Sequence, residues 1–232
     1  MRRIGIIGGM SWESSAEYYR LINEGIRERL GGLHSAELLM LSVDFEPIER
    51  LQHAGEWERL GAELAAAAGD LERGGAAGLL LATNTMHKVA EAIEEAVAIP
   101  LLHIADATGA RLAADGIGRV GLLGTAFTME ESFYRRRLEE RFGLEVLIPE
   151  APERERVHRV IYDELCLGIT RDDSRAAYLR IVEELAERGA QAVILGCTEI
   201  GLLIRDGEAA VPLYDTTRIH AEAAVEWMIG DK

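Results

Sequence analysis

Cysteine is scarce: the 232-residue chain has two, Cys166 and Cys197. Two thiols cannot build a disulfide framework or a four-thiolate zinc site. Lysine is equally scarce, with Lys88 and the C-terminal Lys232 alone. A pyridoxal phosphate Schiff base would have to use one of them, so the count argues against that group, and no cofactor is expected. Positive charge is in deficit, at 25 basic against 40 acidic residues and a net −15. Without a basic face to neutralise phosphates, nucleic acid is excluded as a partner. No apolar run reaches the roughly 18 residues of a spanning helix, which excludes a membrane partner. The opening MRRIGIIGG is too short and too glycine-rich for a signal peptide and reads as a first strand, so a cytoplasmic protein is expected. His34, His53, His103, His158 and His220 show no HExxH or paired spacing, and no metal is expected.

What the chain does have is 48% hydrophobic content and a repeating alternation of short buried strands with amphipathic helices. That order predicts parallel sheets covered on both faces. Its organising stretch is LLLATNTMH, Leu79 to His87, with an echo in VILGCTE, Val193 to Glu199. Each is an apolar strand ending in a polar cluster, and ligands bind at the carboxyl ends of parallel strands. GAAGLLLAT lies over GAQAVILGC at a constant offset of 114 residues, which puts Thr83 over Cys197, Asn84 over Thr198 and Thr85 over Glu199. The openings RRIGIIGG and RVGLLGT align at an offset of 116 residues, as a short loop change would produce. The expected fold class is therefore α/β, with two pseudo-symmetric α/β domains, mostly parallel sheets and the active site in the cleft between them. The expected domains are 1–100 plus 211–232, and 101–210.

The candidate residues each have a plainer reading. Cys197, at a strand mouth before a helix start, is expected to have its pKa pulled below about 8.5 and to act as base or nucleophile. A free cysteine is also commonly a buried structural residue, and that reading is preferred for Cys166 in YDELCLG. Thr83, Asn84 and Thr85 can hold a carboxylate or simply cap a helix. His87 reads as a structural hydrogen-bonder and Lys88 as solvated. IGIIGG is not a dinucleotide fingerprint; its glycines allow close approach of a small ligand or a tight turn. Asp44, Asp106 and Asp215 each follow a strand, where helix capping explains them as well as catalysis does. Thr128 with Glu131 reads as a capping box.

IGIIGGMSWESS, SVDF, TNTMHK, LHIADAT and GCTEIGLL together, in order over essentially the whole chain, resemble the aspartate/glutamate racemase family. The resemblance implies a cofactor-independent amino-acid racemase, with two cysteines on opposite sides of the substrate α-carbon. It implies a small amino-acid substrate, a homodimer, and a pocket lined by Met10, Gln52, Thr83, Asn84, Thr85, Thr125, Thr198 and Glu199. Glu199 suits the substrate ammonium, and Gln52 a side-chain carboxylate. Cys197 matches the second family cysteine, but Thr83 stands where the first is usual. A lopsided enzyme follows: Cys197 takes the α-proton of the L-isomer, and Thr83 is the opposite-face donor. Two alternatives share the elements. A single thiol also suits a decarboxylase of the arylmalonate type, and two α/β lobes suit a dicarboxylate-binding module.

Overall fold

In the computed structural model, which describes residues 1–230, the expected alternation of strands and helices is present. The chain divides into two units, residues 1–104 together with the stretch from His220, and Ala105–Ile219. The first unit runs β1 (Ile4–Gly8), α1 (Trp12–Leu30), β2 (Leu38–Ser42), α2 (Phe45–Ala54), α3 (Trp57–Arg73) and β3 (Gly78–Leu81). A 3-10 turn (Thr85–Val89), α4 (Ala90–Ala96) and β4 (Leu101–Leu102) follow. Then come α5 (Ile104–Ala114), β5 (Arg119–Gly124), α6 (Ala126–Glu130), α7 (Ser132–Phe142), β6 (Glu145–Leu147) and α8 (Ala151–Asp163). After a 3-10 turn (Leu165–Leu167) the chain continues with α9 (Asp172–Glu187), β7 (Ala192–Gly196), α10 (Ile200–Leu203), β8 (Leu213–Asp215) and α11 (Thr216–Ile229). Among the described residues, no helix is long and apolar enough to cross a membrane.

Both sheets are four-stranded and parallel, in the orders β2-β1-β3-β4 and β6-β5-β7-β8. The internal repeat extends to register. Ile4 pairs with Gly78 and Ile7 with Leu81 in one sheet; Val120 pairs with Ala192 and Leu123 with Leu195 in the other. Those pairs are related by the two sequence offsets, so the halves repeat the same strand contacts residue for residue.

Strand alternation explains the packing of the first unit. Ile7, Leu79 and Leu81 face one side, against Leu60, Leu64, Leu71 and Ile93 of α3 and α4. Ile4, Ile6 and Leu80 face the other, against Tyr18, Ile22 and Ile26 of α1 and Ala221, Ala224 and Val225 of α11. The i, i+4 spacing along α1 is thus the stripe that covers the sheet.

The expected domain boundaries shift. β4, assigned to the later half, pairs with β3; β8, assigned to the earlier half, pairs with β7. Both are sheet edges two or three residues long, with too little alternation to show which sheet they join.

His220 is fully buried on α11. Its Nε2–H donates to the Leu102 carbonyl at 2.8 Å, and its Nδ1 lies 2.9 Å from the Tyr18 hydroxyl, which donates to the neutral ring. Burial, opposed by the Leu102 bond, lowers the ring's pKa to about 4. The unfolded chain therefore binds a proton that the folded one refuses between pH 4 and pH 6.5. Stability is full above that window and falls by about 3 kcal/mol across it as the pH drops. Denaturant titrations at both ends of the window, against His220→Asn, should show that increment in the wild type alone.

Candidate active site at the strand ends

In each sheet the chain reverses its winding between the two central strands, β1 and β3 in one and β5 and β7 in the other. Loops leaving such a pair diverge to opposite faces and open a crevice, which is where open α/β sheets bind ligands. The expected residues lie at these two points. In the first unit Met10 follows β1, and Thr83, Asn84 and Thr85 follow β3. In the second, Thr125 follows β5, and Cys197, Thr198 and Glu199 follow β7.

The loops after β1 and β5 use one device. The Ser11 hydroxyl accepts from the Ser14 N–H at 3.3 Å and lies 3.2 Å from the Ser14 hydroxyl. Thr125 does the same with Thr128, at 3.3 and 3.2 Å. Ser11 is the N-cap of α1. The expected box of Thr128 with Glu131 is not formed: the cap is Thr125, one turn earlier, and Glu131 makes no side-chain cap bond to α7. This alignment also locates the two-residue difference between the offsets at Gly9-Met10, which the second half lacks.

The strand-end glycines serve the chain's own packing. A Cβ on Gly8 would lie 2.5 Å from Ser15 Oγ, and one on Gly196 would lie 2.8 Å from the Leu123 carbonyl oxygen. Ser15 Oγ accepts the Gly9 N–H at 2.7 Å and donates to the Ser11 carbonyl at 3.0 Å, closing the turn. Gly9 itself has φ +98°, a left-handed conformation that favours glycine. The tight-turn reading therefore holds at Gly8, and a ligand is not needed to explain it.

Thr83 is 8% exposed, and Asn84 and Thr85 are buried beside it. His87 fixes this corner. The Ile104 N–H donates to its Nε2 at 3.2 Å, so the ring proton is on Nδ1, which donates to the Thr83 carbonyl at 2.7 Å. His87 is structural, as expected, but what it holds is the candidate proton donor's own backbone. Its ring packs on His103, with centroids 4.4 Å apart. Lys88 sits over the Trp57 ring, 3.7 Å from its centroid. Gln52 is buried on α2, and its amide donates to Met86 Sδ at 2.9 Å, next to Thr85. Met10 is a member of the first core.

Cys197 is half-buried. Its thiol donates to Glu199 Oε2 at 2.9 Å, and the Thr198 hydroxyl donates to the same oxygen at 2.6 Å. Burial first, then the negative charge of Glu199, pushes the thiol pKa well above its usual value. The expected depression is thus reversed. The helix that follows, α10, has only four residues and little dipole to offer, whereas a carboxylate is in contact. Glu199 is 4% exposed, and its Oε2 accepts from both the Cys197 thiol and the Thr198 hydroxyl.

Elsewhere, Asp215 is a cap, with Oδ1 accepting from the Thr217 and Arg218 N–H groups at 2.9 and 3.3 Å. Asp106 is not a cap, because α5 begins before it; it binds Arg137 and Arg141, each at 2.6 Å. Asp44 stands at the N-cap of α2 without a side-chain cap bond. Cys166 lies in the 3-10 turn after α8.

Comparison with known proteins agrees with the geometry. The Asp/Glu/hydantoin racemase family model matches residues 7–224. A presumptive Asp/Glu racemase from Yersinia pestis is 51% identical, with a TM-score of 0.93 over 99% of this chain and 100% of that one. An aspartate racemase homologue from Pyrococcus horikoshii OT3 is 36% identical, with a TM-score of 0.85 over 98% of this chain and 99% of the other. The broad specificity amino-acid racemase RacX of Bacillus subtilis (strain 168) is 24% identical over 159 residues, 67% of this chain and 66% of that protein. With the repeated sheets, the strand-end clusters and a family match over nearly the whole length, the chain belongs to the Asp/Glu/hydantoin racemase family.

Proposed function

We propose that this protein is a cofactor-independent isomerase that interconverts L- and D-aspartate or L- and D-glutamate. The observation that carries the reading is the register-matched pair Thr83 and Cys197, one at each switch point, with an acid–base group attached to the thiol. Cys197 removes the α-proton of the L-isomer, and Thr83 returns a proton to the opposite face of the carbon. Asn84, Thr85, Thr125 and Thr198, with the backbone N–H groups around them, suit substrate carboxylates, where charge accumulates as the proton leaves. Gln52 and Met10 complete the first unit's share.

The test is α-proton exchange in D2O, followed by NMR on each isomer of aspartate and glutamate, with optical rotation in parallel. The proposal expects exchange and loss of optical activity together. Tight binding without exchange would instead mark a binding module, and CO2 release from an arylmalonate would mark a decarboxylase.

We also propose a homodimer. Trp12, Tyr19 and Leu30 are exposed at 68, 54 and 42% and share one stripe of α1, as their spacing of seven and eleven residues requires. Light scattering of wild type and Tyr19→Lys checks it, with a fall from dimer to monomer mass expected in the variant.

A further inference from the structure

The racemase reading leaves one step without an agent. A base must take the α-proton, yet Cys197 holds its own proton, and both its burial and its carboxylate neighbour keep it there. Releasing that proton to solvent would leave a thiolate in contact with a carboxylate, two negative charges 2.9 Å apart in a half-buried corner. Like charges at that distance in low dielectric disfavour each other strongly.

The geometry points to another route: we infer that Glu199 is the acceptor of the Cys197 thiol proton, so that thiol and carboxylate act together as the base. The inference rests on the racemase reading and deepens it. The Sγ–H is already directed at Oε2, so the proton has one short hydrogen bond to cross. Moving it there keeps the pair at a single negative charge throughout. Thr198, donating to the same oxygen, holds Oε2 in place. The register-matched corner of the first unit has Thr85 where Glu199 stands, so the first half lacks both the thiol and its carboxylate.

The Sγ–H bond breaks and an Oε2–H bond forms, leaving the electron pair on sulfur. That pair takes the α-hydrogen, Sγ–H forms again, and the C–H electron pair stays on the substrate as an enolate-like carbanion. The opposite-face donor protonates the carbanion. Glu199 then releases its proton to solvent, and the donor regains one from solvent.

Glu199→Gln keeps the size and the hydrogen-bonding capacity and loses the charge and the basicity. Its kcat for α-proton exchange on the L-isomer should fall about 100-fold or more, with KM within about threefold. Glu199→Asp keeps a carboxylate and should recover part of the exchange. A kcat held within threefold, or a loss confined to KM as an ammonium partner would give, overturns the inference. Absence of exchange in the wild type sinks the racemase reading, and the inference with it.

Discussion

Replacing Cys197 by serine should lower α-proton exchange on L-aspartate and L-glutamate about 10³-fold while leaving the protein folded. Serine is nearly the same size, and its hydroxyl can donate to Glu199 Oε2 as the thiol does at 2.9 Å. The loss would therefore be chemical: a hydroxyl is a far weaker acid than a thiol, and its alkoxide is out of reach of a carboxylate acceptor. Cys166→Ser is the matched control. Cys166 lies in the 3-10 turn after α8 and not at the end of a strand, and its variant should keep exchange within about twofold of wild type. Parallel loss in both variants would point to a general sensitivity to thiol removal and would count against a dedicated base.

In its proposed role Thr83 should behave differently, because it would enter only when the carbanion is protonated from the other face. In Thr83→Ala, Cys197 still removes the α-proton of the L-isomer and can return a solvent-derived one to the same face. Deuterium should wash into L-substrate at a rate within roughly tenfold of wild type, while conversion to the D-isomer falls about 100-fold or more. Exchange and inversion would then separate. In Thr83→Cys a thiol, a far stronger acid than the hydroxyl, stands at this position, and kcat from the D-isomer should rise about tenfold or more. His87 holds the Thr83 backbone carbonyl at 2.7 Å, so neither change needs to move the corner. Equal loss of exchange and inversion in Thr83→Ala would contradict the assignment.

Much of this was legible in the sequence, and the reason is periodicity. Buried strands such as IGIIG and AVILG are apolar throughout because helices cover both faces, and the internal repeat survives in their register. The strand-end clusters were legible because a polar run breaks off directly after an apolar strand, and the same break recurs at the matching place in both halves. The edge strands β4 and β8 were not assignable, since two or three residues carry no period. The electrostatic environment of Cys197 was misread for a related reason. A helix start was visible in the sequence, but its shortness and the fold-back of Glu199 two residues on were not. The spacing C-x-E was present, yet only geometry shows the carboxylate turned toward sulfur. Nothing in the sequence singles out Ser15, and His87 reads there as a structural hydrogen-bonder without a partner assigned. A serine four residues past a cap, and a histidine four residues past Thr83, are each placed by the first turn to bond back to the strand end.

The proposed chemistry is a lopsided pair, a thiol assisted by a carboxylate on one side and an alcohol on the other. Steady-state kinetics of the wild type in both directions decide it. The equilibrium constant between enantiomers is one, so kcat/KM must match for the L- and D-isomers whatever the mechanism. A lopsided pair gives kcat and KM values that differ individually between the two directions by matching factors, several-fold or more. Equal kcat and equal KM for both isomers would rule it out.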